Sequence, residues 1–268
     1  MLKIDGKIID IGSFPDGSML VKYKPTSLQK LSGATITWKY ENDREFLCLA
    51  YLVEHLRSHG IKKITLRMPY IPNARQDRVK SDEDVFTLKY FAKLLNGLEL
   101  DKVIVLDPHS SVSEALINNL EIQSPCYHIL DVWDRIEDLT GGNDIMAFYP
   151  DSGAAKRYSG MIELPYAFGI KNRDWVTGKI TGLDIAGSTH LIPGKTILII
   201  DDICSRGGTF YHSAKKLKEL GAGDIYLFVS HCENTVLEGE LLQGDLIKKV
   251  FTSDSIFTKS HEKIEVLK

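Results

Sequence analysis

Between Thr196 and Phe210 the chain reads TILIIDDICSRGGTF. The apolar, β-branched run at its start is the pattern of a strand buried on both faces. FYHSAKKLKELG, from Phe210 onward, has the apolar spacing and closing glycine of a helix. That succession dictates a strand, a tight turn and a helix, and it places Asp201, Asp202, Gly207 and Gly208 in the turn. In an open parallel sheet such turns lie at the carboxyl edge, where ligands bind and the helix amino end offers unpaired N–H groups to an anion. Glycines alone would mark an ordinary bend, but a bend does not need two adjacent acids at the exit of a buried strand. The stretch therefore predicts a phosphate cradle whose neighbouring acids hold hydroxyls or a hard cation. It is neither a dinucleotide fingerprint nor a Walker A loop, because no G-x-G-x-x-G follows the strand and no G-K-[ST] closes the glycines.

A chain of 268 residues with 43% hydrophobic composition can bury a sizeable core in two lobes. Its net charge of −3, without a Lys/Arg-rich run, argues against nucleic acid as a partner. Cys48, Cys126, Cys204 and Cys232 lack C-x-x-C spacing, so neither a zinc site nor a disulfide framework is indicated, and a reducing, cytoplasmic setting is expected. MLKIDGKIIDIG lacks the basic start and apolar stretch of a signal peptide, and no run is long enough to span a bilayer, so no membrane partner is expected.

Short apolar runs alternate with amphipathic segments along most of the chain. EFLCLAYLVEHLRSHG reads as a helix, IKKITLRMPY as a strand, DEDVFTLKYFAKLLNG as a helix and DKVIVLDPH as a strand. The pattern restarts after Gly141 and Gly142, with DIMAFYPDSG, GMIELPYAF, TILIIDD and DIYLFVSH as strands. The expected fold is α/β, with lobes at residues 1–140 and 141–268, each a largely parallel sheet flanked by helices. Residues 171–194, glycine-rich and weakly periodic, read as a loop.

Four strand ends carry polar residues that a core does not need: PYIPNARQDR at Pro69–Arg78, LDPH at Leu106–His109, YPDSGAAKRY at Tyr149–Tyr158, and the opening of IDDICSRGGT. Together and in this order they resemble the ribose-phosphate diphosphokinases, which make phosphoribosyl diphosphate from ribose 5-phosphate and ATP. The last motif is similar to the phosphoribosyl-binding loop of type I phosphoribosyltransferases, and the other three separate the two families. IGSFPDGSMLV at Ile11–Val21 and IKNRD at Ile170–Asp174 extend the resemblance to about residues 11–257.

The resemblance implies two consecutive phosphoribosyltransferase-like lobes, the first carrying ATP motifs and the second the sugar-phosphate loop. It implies ATP contacts at Arg75, Gln76 and His109, and from a neighbouring subunit at Phe14 and Asp16, so the enzyme should be a homo-oligomer, at least a dimer. Ser18 stands where the family has glutamate. His109 and Asp151 resemble ligands of Mg²⁺, which takes few protein ligands. Lys171 and Arg173 resemble the catalytic pair; two cations one residue apart on a strand project to the same side and can clamp a polyphosphate. They precede a loop, containing Trp175, that is expected to fold over the site. Asp201 and Asp202 would bind the sugar hydroxyls of ribose 5-phosphate, directly or through a metal. Ser205, Arg206, Gly207, Gly208 and Thr209 would wrap its phosphate, with Ser205 replacing an acid and Arg206 a threonine of the family pattern. A phosphoribosyltransferase acting on a base, or a non-catalytic regulatory relative, is the alternative.

Overall fold

Strands at the centre of a parallel sheet must bury both faces, and the two most apolar runs do so. The strand at Ile225–Cys232 is buried at every position, and the one at Thr196–Cys204 is buried at its first five. The computed structural model describes residues 1–142, 144–162, 164–173 and 180–268, with the backbone alone for residues 171–173 and 180–183. The chain divides into two compact units, Met1–Ser124 and Pro125–Lys268.

The first unit runs β1 (Leu2–Ile4), β2 (Lys7–Ile8), β3 (Ile11–Ser13), β4 (Met19–Val21), α1 (Ser27–Ser32), β5 (Ala34–Trp38), α2 (Arg44–Ser58), β6 (Ile64–Arg67), α3 (Thr87–Asn96), β7 (Lys102–Leu106), α4 (Val112–Leu116) and β8 (Leu120–Gln123). Its sheet order is β2-β1-β5-β6-β7-β8, parallel from β5 to β8, while β3 and β4 form a separate antiparallel hairpin. Ile36, Trp38, Leu66 and Val105 of the sheet pack with Leu49, Leu52, Leu56, Leu88 and Leu95 of α2 and α3. Helix α3 starts at Thr87, so DEDVF, expected inside it, is instead the approach: Lys80 and Ser81 amides donate to the Asp84 carboxylate at 2.8 Å. That local side-chain-to-backbone bonding competes with helix.

The second unit runs α5 (Cys126–Thr140), β9 (Ile145–Tyr149), α6 (Ser152–Tyr158), β10 (Tyr166–Arg173), β11 (Ile180–Gly187), β12 (Thr196–Cys204), α7 (Gly208–Glu219), β13 (Ile225–Cys232), β14 (Lys249–Ser253) and β15 (Ile264–Leu267). Its sheet order is β11-β10-β9-β12-β13-β14-β15, and every pair is parallel except β10 with β11. The division after Ser124 precedes the expected one at residue 140. Ile129, Val132 and Ile136 place α5 in the second unit's core, and Gly141, at φ 69°, is its left-handed C-cap. The glycine pair closes a helix and is not a linker. Residues 166–187, read in part as loop, instead form the β10–β11 antiparallel pair; its glycines break the alternation that reveals strands, and the pairing to β9 supplies what local pattern lacks.

The chain leaves β9 for β10 on one side and β12 for β13 on the other. The crevice beyond the carboxyl ends of β9 and β12 is therefore a topological switch point, the place where open α/β sheets bind ligands. Helix α6 packs with Leu198 and Ile200 in one core, and α7 with Ile197 and Ile199 in the other.

Candidate active site

At the switch point the acids lie one step earlier than the sequence pattern suggests. Asp201 and Asp202 are within β12, which stays paired to β13 through Cys204, so the turn proper begins at Ser205. The Asp202 amide donates to the Asp201 carboxylate at 2.9 Å. Asp202 is buried, and Nη1 of Arg157 donates to its Oδ2 at 2.7 Å. Behind them the facing Cys204 and Cys232 are fully buried; hydrogen bonding between the two thiols, reinforced by burial, pushes the Cys204 thiol well above its ordinary range. Such a thiol is inert packing.

The loop is shaped by close approach. Gly207, at φ 80°, occupies the left-handed region at the N-cap of α7, and a Cβ there would lie 2.7 Å from the Leu241 side chain. A Cβ on Gly208 would meet nothing within 4 Å. Packing therefore demands the first glycine, while the second faces open space. No side chain caps α7, so its first amides have no helix-internal partners and present the positive end of the helix dipole. The Ser205 hydroxyl lies 3.3 Å from that of Thr235, and Arg206 ion-pairs with Glu238 at 3.1 Å. Thr209 lies in the first turn of α7.

Asp151 is the N-cap of α6, its Oδ1 accepting from the Gly153 and Ala154 amides at 3.0 Å each. Lys171 and Arg173 lie on β10, with their side chains outside the described residues, as is the whole of Trp175.

In the first unit, the adjacent strands β6 and β7 bring ARQDR and DPHS together. The Ser110 hydroxyl donates to the Asp77 carboxylate at 2.7 Å, and Arg78 forks onto the same carboxylate at 2.7 and 3.1 Å. Arg78 above all, with Ser110 and the nearby His109, holds the Asp77 carboxyl down at about 2. His109, Arg75 and Gln76 are exposed, and the Gln76 side chain accepts from the Thr87 hydroxyl at 2.9 Å at the start of α3. Asp107 is buried with φ 39°, a strained conformation of the kind that collects at functional sites. Asp77, Ser110, Asp107 and Arg157 were not singled out from the sequence; the aspartate before proline at a strand exit was the one readable signal.

Because the Asp77 carboxyl is depressed in the folded state, its stabilisation is complete above the unfolded value near 4 and is lost as pH falls toward 2. Asp77→Asn is expected to cost about 1 kcal/mol at neutral pH, since Arg78 is largely solvated, with the difference closing between about pH 4 and 2. Urea titrations at several pH values measure it. A gap independent of pH would mean that the carboxylate charge contributes nothing.

Phe14 is at the tip of the β3–β4 hairpin, 49% exposed, so it is not a core residue. Asp16 accepts from the Ser18 amide at 2.9 Å and hydroxyl at 2.6 Å, which lowers its pKa. Ser18, the departure from the family pattern, thus fixes its neighbour. Among the described residues no cluster of three or more His, Cys, Asp or Glu forms a metal cage, and no helix is long and apolar enough to cross a membrane.

The fold defines the class first. A phosphoribosylpyrophosphate synthetase from Mycobacterium smegmatis superposes with a TM-score of 0.76 over 97% of this chain and 85% of its own, at 19% identity, a likeness of fold: two consecutive α/β units with largely parallel sheets. No family model matches the sequence. Ribose-phosphate pyrophosphokinases do: that of Saccharolobus solfataricus is 29% identical over 236 residues, covering 86% of this chain and 77% of the relative. Those of Pyrococcus abyssi and Bacillus subtilis are each 31% identical over 228 residues, covering 83% and 82% of this chain and 75% and 68% of theirs. The chain belongs to the ribose-phosphate pyrophosphokinase family, and it is an enzyme.

Proposed function

We propose that the protein transfers the diphosphoryl group of Mg-ATP to the anomeric hydroxyl of ribose 5-phosphate, giving 5-phosphoribosyl 1-diphosphate and AMP. The observation that carries this reading is the run of β12 from the Asp201–Asp202 pair into an uncapped helix amino end, at the switch point of the second sheet. Acids suit the sugar hydroxyls and helix amides suit the phosphate. The Asp77–Ser110 cluster, with Arg75, Gln76 and His109 around it, supports a nucleotide site that a base phosphoribosyltransferase would not need.

In the reaction the anomeric oxygen attacks the β-phosphorus in line, the bond from that phosphorus to the α-phosphate oxygen breaks, and AMP leaves. Such transfers depend on positioning and charge stabilisation. Lys171 and Arg173 would stabilise charge on the transferred group, while Ser205, Arg206, Gly207, Gly208 and Thr209 hold the sugar phosphate. A carboxylate oxygen suits a hard cation that keeps most of its water and takes few protein ligands. Asp151 of the second unit and His109 of the first would each serve as a ligand of Mg²⁺, which would neutralise polyphosphate charge. AMP release from ATP, measured with and without ribose 5-phosphate, tests the proposal; AMP formation independent of the sugar, or none at all, sinks it.

We also propose that Phe14 and Asp16 complete the adenine site of a neighbouring subunit, each member of a symmetric pair lending its hairpin to the other. An exposed aromatic at a hairpin tip is otherwise without a packing role. Phe14→Ala is expected to raise KM for ATP about 10- to 100-fold, the worth of one stacked base, with KM for ribose 5-phosphate unchanged. Steady-state kinetics beside light scattering check this, and a fully active monomer would refute the shared site.

A further inference from the structure

Asp202 poses an electrostatic problem that the acid pair alone does not solve. It is 7% exposed, on a central strand, next to a second carboxylate and close to the turn assigned to a dianionic phosphate. A buried charge in such surroundings is tolerated only when paired. Its partner comes from the other side of the switch point: Arg157, in the last turn of α6, reaches Oδ2 at 2.7 Å with its side chain 27% exposed. Arginine there also suits the helix carboxyl end and lies 5.8 Å from the Tyr158 ring. Those interactions are weaker than a charge-assisted hydrogen bond to a buried carboxylate.

The helix that delivers the arginine is itself fixed. Ala154, Ala155 and Tyr158 pack in the same core as Leu198 and Ile200 of β12, and Asp151 caps the other end. One short helix therefore carries the PDSG motif at its start and a clamp on the sugar-binding acids at its end.

We infer that Arg157 is a positioning residue that holds Asp202, and through it the acid pair, in place for the sugar hydroxyls. The inference rests on the proposed reaction and adds to it a residue that acts through Asp202 and not on the substrate. Loss of Arg157 should then impair ribose 5-phosphate alone, and it should matter only while Asp202 is a carboxylate.

The test is a double-variant cycle on the full chain with Arg157→Gln, Asp202→Asn and both together, reading kcat and each KM. The expected results are a KM for ribose 5-phosphate raised about 10- to 100-fold in each single variant, no further rise in the double variant, and KM for ATP within about twofold of wild type. Arg157→Lys, which keeps the charge, should recover part of the loss; if Arg157→Gln does not fold, this variant enters the cycle in its place. Multiplying effects in the double variant, or equal losses for both substrates, would overturn the positioning role while a wild type that makes AMP upholds the reaction. A wild type that makes no AMP from ATP and ribose 5-phosphate overturns the reaction and the inference with it.

Discussion

Lys171→Ala and Arg173→Ala are each expected to lower kcat about 100- to 1,000-fold, with KM for both substrates changed by no more than about threefold. In the proposed transfer, charge builds on the diphosphoryl group mainly in the transition state, so a cation that meets it there would contribute little to ground-state binding. Removing one such donor costs about 2.7–4 kcal/mol in the reacting complex. The backbone of both residues is held in β10, hydrogen-bonded to β11 on one side, while the same strand's first residues pair with β9. Because such donors act on charge that develops only in the transition state, the loss should fall on kcat. Single-turnover measurement of AMP release separates chemistry from product release. A rise confined to KM for ATP would make the pair an anchor of the ground-state nucleotide.

The parts of this fold that were legible in the sequence are those whose cause is local. TILIIDD declares a buried strand because its residues are apolar on both faces, and Gly207 declares a turn because its φ is one that other residues resist. The glycine pair at Gly141 and Gly142 reads in the sequence as the boundary between lobes, and only the helix before it, α5, shows the pair to be a helix stop. What stayed hidden depends on residues distant in sequence. Arg157 looks like any basic residue at the end of a helix until the sheet order brings β12 beside β9. Asp77 reads as one charge in a polar turn, and only the pairing of β6 with β7 places Ser110 against it. β10 and β11 were obscured by glycines at positions where cross-strand partners, and not side-chain pattern, hold the strand.

Gly239 is the sharpest case, because neither composition nor φ marks it. Its φ is −96°, open to any residue, but a Cβ at this position would lie 1.9 Å from the carbonyl oxygen of Arg206 and 2.9 Å from its carbonyl carbon. Both atoms are backbone, so no side-chain rotation relieves the clash, and the backbone of the turn at Arg206 must itself move. Gly239→Ala is expected to destabilise the protein by about 1–3 kcal/mol, as overpacking does, and to raise KM for ribose 5-phosphate by about 100-fold or more. ATP binding, assigned to residues of the first unit, should persist. Gly208→Ala supplies the contrast. Its added methyl meets no tertiary contact within 4 Å, so the variant should unfold no earlier than wild type. If phosphate approaches that backbone as proposed, its affinity for ribose 5-phosphate should still fall, because the space the methyl fills is the ligand's. Unfolding curves and calorimetric titration of the two variants with each substrate decide the matter. Unchanged sugar-phosphate affinity in Gly208→Ala would move the phosphate away from this turn, and wild-type stability in Gly239→Ala would show that the loop yields without cost.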